Sequence, residues 1–110
     1  MAKPALVTRI VCPERAKAGE TITIKTLIQH PMETGFRRDD SGGAIPRDII
    51  ERFMVTYDGV EIFRARLYPG IAANPYFQFT TVATATGRLV FTWTDMAGAV
   101  TSETRTLTVV

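Results

Sequence analysis

Hydrophobic and polar residues alternate along most of the chain with a period of two residues. Such alternation places successive side chains on opposite faces of a strand and is typical of a β-sheet with one buried face. The clearest example is residues 21–28, where Ile22, Ile24 and Ile28 fall on one face. We therefore predict a central strand here and a fold built mainly from strands.

Residues 53–67 predict a β-hairpin. The segments 53–57 and 60–67 flank Asp58-Gly59, and a two-residue Asp-Gly loop matches the twist of an antiparallel hairpin. Further strands are predicted at about 5–11, 76–82, 89–94 and 100–109. Pro46 to Arg52 has the composition of one helical turn, although so short a helix is marginal in isolation.

About seven strands, separated by turn signals roughly every 8 to 12 residues, predict an all-β fold: an immunoglobulin-like antiparallel β-sandwich. The 110 residues fit a single domain over 1–110. The paired cysteines of antibody domains are absent and Trp93 falls late in the chain, so the likeness is architectural. Consecutive apolar residues at 53–55 and 89–91 also indicate an apolar patch on an outer face, suited to a partner subunit.

Composition narrows the class of function. Apolar residues make up 45% and charged residues 22%, which is ordinary for a globular domain and excludes a disordered tail. The net charge of +2 is too small to indicate nucleic-acid binding. Charges interrupt every hydrophobic run before the roughly 20 residues that a membrane helix needs, so no membrane span is predicted.

The residues that could carry catalysis or bind metal are few. The chain has one cysteine, Cys12, and one histidine, His30, and no nucleophile motif surrounds either. We expect Cys12 to be a buried or half-buried side chain at a strand end. Two such ligands fall short of a zinc site, and residues 39–43 lack the ligand spacing of a calcium loop. We therefore predict no metal, no cofactor and no catalytic residues.

Two segments interrupt the alternation. Residues 29–43 contain the histidine, an arginine pair and an acidic pair, and residues 68–76 contain two prolines and a glycine. Long loops are often functional, and arginine matches carboxylates bidentately. The alternatives are a solvated loop and a histidine that fixes the loop by a backbone hydrogen bond. We predict a partner-binding or docking surface formed by His30, Met32, Arg37, Arg38, Asn74 and Tyr76.

The run His-Pro-Met-Glu-Thr-Gly-Phe-Arg-Arg-Asp at 30–39, with Ala-Asn-Pro-Tyr-Phe at 73–77 and Phe-Thr-Trp-Thr-Asp at 91–95, resembles the SoxZ family over nearly the whole chain. The resemblance implies the non-catalytic subunit of the heterodimeric SoxYZ sulfur carrier of thiosulfate oxidation. The partner, SoxY, would hold sulfur intermediates on the cysteine of a C-terminal Gly-Gly-Cys-Gly arm, while other Sox enzymes dock transiently. Cys12 matches no such motif.

The resemblance also implies a periplasmic location, reached by co-export with a signal-bearing SoxY, because residues 1–9 lack the apolar stretch of a secretory signal. Three alternatives remain: a free-standing immunoglobulin-like binding module, a SoxYZ-like carrier subunit of another dehydrogenase system and, most weakly, an independent enzyme. A stable complex with a cysteine-tailed partner distinguishes a carrier subunit from a binding module, which would be a monomer.

Overall fold

A computed structural model describes residues 6–110 of the chain. This range contains no helix, and so none that is long and apolar enough to cross a bilayer. Its strands are β1 Thr8–Val11, β2 Arg15–Ala16, β3 Thr21–Ile28, β4 Ile50–Tyr57, β5 Val60–Arg66, β6 Tyr76–Val82, β7 Gly87–Asp95 and β8 Val100–Val109.

The strands form two sheets packed face to face. One has the order β1-β3-β6 and the other the order β2-β8-β7-β4-β5. Every pairing is antiparallel except that of β2 with β8. The predicted immunoglobulin-like antiparallel β-sandwich is therefore confirmed.

Most of the predicted strands are present. The predictions for β3, β6 and β8 match at both ends, and β4 and β7 extend beyond theirs. The hairpin turn is confirmed, since Asp58 and Gly59 have φ angles of 50° and 80°, as the favoured two-residue turn requires. The first strand begins at Thr8, and residue 5 of its prediction lies outside the described residues. The two-residue strand β2 was not predicted.

The predicted helical turn at residues 46–52 is wrong. Ile49 and Ile50 are buried, and Ile50 begins β4 opposite Asp95 of β7. The backbone N–H of Met96 donates to the carbonyl of Ile49 at 3.1 Å, which extends the contact with the β7–β8 turn. Burial of two β-branched residues against β7 outweighs the local helical composition.

Aromatic rings from both sheets fill the core. The Phe53 ring of β4 lies 4.8 Å from that of Trp93 and 5.3 Å from that of Phe77, which belongs to the opposite sheet. At one side of the sandwich, the rings of Phe63 and Phe79 stack at 4.4 Å. The edges of β5 and β6 therefore face each other across the sandwich.

The predicted apolar patch on an outer face does not form as expected. Met54 of β4 and Val90 of β7 do point outward, but both are half-buried. Their cross-strand neighbours are polar: Arg64 and Thr92 beside Met54, and Thr56 beside Val90. Two exposed apolar side chains, Val60 of β5 and Val82 of β6, lie instead at the groove between these two strands.

Candidate partner-binding site

The two loops singled out in the sequence meet at one end of the sandwich. The backbone N–H of Asn74 donates to the carbonyl of His30 at 2.8 Å. In return, the backbone N–H of His30 donates to the Asn74 Oδ1 atom at 2.9 Å. Asn74 has a φ of 55°, a left-handed conformation that asparagine tolerates well. These two hydrogen bonds join the segment after β3 to the segment before β6.

His30 is 3% exposed and holds its own loop in place. Its Nδ1 atom accepts a hydrogen bond from the backbone N–H of Met32 at 3.0 Å, so the proton of the neutral ring lies on Nε2. Nε2 is 3.4 Å from the Asp48 Oδ1 atom. These contacts fit the structural alternative for His30, a histidine that fixes the loop.

Met32 is also buried, with a φ of 53°, and its sulfur accepts a hydrogen bond from the backbone N–H of Ile50 at 3.3 Å. Neither His30 nor Met32 presents its side chain to a surface. Within the predicted site, these two residues shape the loop, and the members that are accessible to a partner are Arg37, Arg38, Asn74 and Tyr76.

Residues 33–48 leave the sandwich and return to it; we call this segment the excursion. Its two arms are held together by β-bridges between Glu33 and Asp48 and between Arg38 and Ala44. At its tip, the carboxylate of Asp39 accepts hydrogen bonds from the backbone N–H groups of residues 41 and 43 at 3.0 and 2.9 Å. The excursion is therefore an ordered element rather than a loose loop.

The two arginines of the excursion are exposed, and both have local partners. Arg37 forms a two-point ion pair with Glu33, and the hydrogen bonds from this guanidinium hold the pKa of the Glu33 carboxyl below its usual range. Arg38 donates to the carbonyl of Gly42 at 3.0 Å. Because both side chains remain exposed, their unused N–H groups are available to an anionic surface.

Phe36 is an exposed residue that the sequence analysis missed. Its side chain is 78% exposed, with the Arg47 guanidinium 5.4 Å from the ring centroid. Arg47 also donates to the carbonyl of Thr34 at 2.7 Å, which fixes the cation beside the ring. Exposed aromatic side chains are common anchors of protein interfaces. The sequence feature that could have identified Phe36 is the presence of an aromatic residue between Gly35 and an arginine pair in an otherwise polar loop.

Tyr76 begins β6, which, among the strands that the structure describes, is an edge strand paired with β3 alone. The backbone N–H of Ile28 donates to the carbonyl of Pro75, so Ile28 and Pro75 form a hydrogen-bonded pair. Hydrogen-bonded pairs alternate with non-hydrogen-bonded pairs along an antiparallel ladder, and the register of β3 with β6 has no break. Every second residue of β6 from Tyr76 onward is therefore in a non-hydrogen-bonded pair. The N–H and C=O groups of Tyr76, Gln78 and Thr80 therefore point away from β3.

The edge of β6 differs from the other edges of the two sheets. An exposed edge can pair with another chain unless short length, charge or proline prevents it. The edge strand β2 has two residues, β1 has four and includes Arg9, and β5 carries Glu61, Arg64 and Arg66. The seven residues of β6, Tyr-Phe-Gln-Phe-Thr-Thr-Val, contain no charge, proline or glycine. This edge has the features of a strand that another strand covers.

A groove of about 520 Å³ separates the edges of β5 and β6. Its lining includes Val60, which is 66% exposed, Val82, which is 47% exposed, and the half-buried Ile62. The free backbone edge of β6 thus runs beside exposed apolar side chains. We call the edge of β6 together with this groove the β6 edge surface.

Cys12 and His30 do not meet. Cys12 follows Val11, which pairs with Lys25, whereas His30 lies beyond Ile28 at the other end of the same strand pair. At about 3.3 Å per residue, the two side chains are separated by about 20 Å along the strand direction. The register therefore excludes a cysteine–histidine dyad.

Cys12 is half-buried and packs against the core, as expected from the sequence. Burial raises the pKa of its thiol, and the nearby Arg105 opposes this only partly. We predict that iodoacetamide modifies Cys12 in the folded protein at pH 7.5 at least about tenfold more slowly than in urea. Because the thiol pKa is raised in the folded state, the protonated thiol contributes to the stability of the fold at neutral pH. This contribution is lost as the pH rises above the ordinary pKa of cysteine. Equal rates in the two states would contradict a buried thiol.

Within residues 6–110, no group of three histidine, cysteine, aspartate or glutamate side chains is arranged to hold a metal ion. The exposed features that remain are surfaces: the excursion with Phe36, Arg37 and Arg38, and the β6 edge surface beginning at Tyr76. Both suit contact with macromolecules.

Solved structures with a similar fold come from several proteins. The sulfur carrier protein SoxY of Chlorobium limicola f thiosulfatophilum aligns with a TM-score of 0.67 at 13% identity, over 94% of this chain and 78% of that one. A superoxide reductase (neelaredoxin) of Ignicoccus hospitalis aligns with a TM-score of 0.69 at 16% identity, over 94% and 80%. A putative superoxide reductase of Thermotoga maritima gives 0.72 at 15% identity, over 94% and 85%. At such identities the likeness shows the shared fold alone.

No curated protein matches the sequence. The family model described as sulphur oxidation protein SoxZ matches residues 9–106, which is nearly the whole chain. The matched range contains both loops, the excursion and the β6 edge, so the resemblance seen in the sequence motifs is confirmed. The chain belongs to the SoxZ family and is a sulfur-oxidation protein of the Sox system.

Proposed function

We propose that this protein is the non-catalytic subunit of a heterodimeric sulfur carrier. Its partner is a SoxY-like subunit, whose C-terminal cysteine holds covalently bound sulfur intermediates during thiosulfate oxidation. The observation that carries the proposal is the SoxZ family match over residues 9–106. A fold shared with a SoxY structure makes the proposed partner a sandwich of similar build.

The β6 edge surface supports pairing with another subunit. Outward N–H and C=O groups along Tyr76, Gln78 and Thr80 provide donors and acceptors for an added strand. The exposed side chains of Val60 and Val82 beside them supply apolar area that a partner would remove from water. Backbone pairing and apolar burial at one surface are what a stable subunit contact uses.

The excursion supports a second type of contact, with enzymes that visit the carrier. It is anchored through the buried His30 and Met32 but exposes Phe36, Arg37 and Arg38. An exposed aromatic ring flanked by guanidinium groups suits a transient and partly polar interface. In this proposal Asn74 joins His30, just before the excursion, to the segment that leads into β6, so the two contacts lie at neighbouring parts of the molecule.

The sulfur intermediate belongs to the partner in this proposal. Cys12 is half-buried, its thiol pKa is raised, and it lies within the chain rather than on a mobile arm. A carrier thiol needs exposure and a readily formed thiolate. The proposed location is the periplasm, reached by co-export with a partner that bears the signal.

Native mass spectrometry of the complex from the native host tests the proposal. We expect a one-to-one complex of this 12.2 kDa chain with a SoxY-like chain. Sulfur-containing mass additions should appear on the partner and not on this chain. Fractionation of the same cells should recover both chains from the periplasm.

Two outcomes would contradict the proposal. A lone and unmodified monomer in the native host would favour the free-standing binding module. A stable complex whose partner chain carries no sulfur after growth on thiosulfate would favour a carrier subunit of another dehydrogenase system.

A further inference from the structure

The outer face of the five-stranded sheet carries two adjacent rows of outward side chains. The register sets Arg66, Arg52 and Thr94 in one row across β5, β4 and β7, and Arg64, Met54 and Thr92 in the next row. Directly opposed side chains have Cβ atoms about 5 Å apart. Three guanidinium groups and two hydroxyl groups are thus rooted in one small area, which we call the arginine–threonine rows.

A β-bulge in β4 produces this arrangement. Ile50 pairs with Asp95 while Arg52 pairs with Thr94, so Glu51 is an extra residue in the strand. The extra residue lets both Ile50 and Phe53 point into the core while Arg52 points outward. Bulges re-aim side chains in this way and are enriched beside functional sites.

Arg52 and Arg66 lie directly opposite each other on β4 and β5. Like charges at directly opposed positions are unfavourable for strand pairing. Both side chains are exposed, and in the part of the chain that the structure describes neither has an ion pair. Arg64 is paired at 2.8 Å with Glu61, which lies one row further along. The rows therefore keep an uncompensated positive charge.

A depression of about 190 Å³ opens over these rows and is lined by Arg52, Phe53, Met54, Arg64, Thr92 and Thr94. Its polar side chains are guanidinium groups, which only donate hydrogen bonds, and hydroxyl groups, which can donate. Pockets for drug-sized ligands begin at about 300 Å³, so this one suits a smaller group.

We propose that this depression binds a small tetrahedral oxyanion, with sulfate as the probe. Guanidinium forks bind such oxygens bidentately, and the threonine hydroxyls add neutral donors on the far side. Beyond the rows, the same face carries Glu61 opposite Thr56, the uncharged Val90, and Arg88 opposite Thr106. The depression combines two guanidinium groups with two threonine hydroxyls in a small volume, which favours a compact anion over an extended acidic protein surface.

The depression and the groove of the β6 edge surface both include residues of β5, but they share no lining residue. Binding of the free anion is therefore independent of the proposed subunit pairing. The same chemistry could reach the site as a sulfonate carried on a cysteine. Only the binding of a sulfonate carried on a cysteine rests on the proposed function; the binding of the free anion does not.

Amide NMR titration of the full chain with sodium sulfate tests the proposal, with sodium chloride at equal ionic strength as the reference. We expect saturable shifts at Met54, Thr92 and Thr94. Arg52→Gln should weaken sulfate binding by about tenfold or more, since it removes a charge-assisted hydrogen-bond donor. The matched control is Arg88→Gln, on the same face but outside the depression, which should change affinity by less than about twofold.

A second readout is the melting temperature without sulfate. Arg52→Gln removes the repulsion with Arg66 and should therefore raise the melting temperature without sulfate. The same substitution should reduce the increase in melting temperature that added sulfate produces. A parallel titration with S-sulfocysteine separates the sources. If S-sulfocysteine binds more tightly than sulfate, the ligand is a sulfonate carried on a cysteine. If it binds more weakly, the ligand is the free anion.

Three results would overturn the proposal. They are shifts that do not saturate, an equal loss of affinity in the Arg52 and Arg88 variants, and binding of an acidic peptide without binding of sulfate. The first two would show diffuse attraction of anions, and the third would assign the face to a protein partner.

Discussion

Phe53→Ala is expected to destabilise the domain by about 3–5 kcal/mol, the usual cost of removing a fully buried phenylalanine. Phe53 is 0% exposed and stacks on both Trp93 and Phe77, so its removal leaves a cavity between the two sheets. Urea unfolding followed by tryptophan fluorescence measures the effect, with an unchanged m-value indicating that the transition remains comparable.

The chain offers a matched control for this substitution. Phe36 is 78% exposed on the excursion, and Phe36→Ala should change the free energy of unfolding by no more than about 0.5 kcal/mol. If Phe53→Ala does not fold, Phe53→Leu should still show a smaller measurable loss. A cost below about 1 kcal/mol for Phe53→Ala would mean that the aromatic stack is not the centre of the core.

Thr80→Pro is expected to weaken binding of the SoxY-like partner by about a hundredfold or more, provided that the partner adds a strand to β6. Proline removes the N–H of residue 80, which points away from β3 and makes no bond within the sheet. Proline is tolerated at such an edge position, so the domain itself should fold. Affinity is measured by surface-immobilised binding, and folding by circular dichroism.

Thr80→Val is the matched control, since it keeps the backbone N–H and the β-branched shape. It should bind the partner as the unaltered protein does. If Thr80→Pro fails to fold, Thr80→Lys introduces a charge on the edge without changing the backbone and should weaken pairing too. Full affinity in folded Thr80→Pro would place the subunit contact elsewhere on the surface.

Much of the fold could be predicted because strand alternation is a local property. Ile22, Ile24 and Ile28 face the core as predicted, and Asp58-Gly59 forms the predicted hairpin turn. The errors occur where partners distant in sequence decide the structure. Residues 46–49 lack helical structure because Ile50 pairs with Asp95 of β7 and the carbonyl of Ile49 accepts a hydrogen bond from the turn that follows β7. The strand β2 was missed because two residues are too few to show an alternating pattern.

The candidate site was predicted only in part, for the same reason. The meeting of the two loops depends on hydrogen bonds between His30 and Asn74, which no local pattern reveals. The motif that identified the family includes His30 and Met32, yet both are buried, because a distinctive motif can reflect loop architecture as well as contact. The opposition of Arg52 and Arg66 depends on register and a bulge, neither of which is readable from spacing.

The pairing of β2 with β8 joins residues 15–16 to residues 108–109, so segments from opposite ends of the sequence lie side by side in one sheet. A growing chain on the ribosome cannot complete this sheet until its last strand has emerged. Contacts this distant in sequence also slow folding, to milliseconds or seconds in sandwiches of this type. Completion of this sheet is therefore expected to wait for the synthesis of β8, and during that interval the uncharged strand β6 is open to any other unfolded chain nearby.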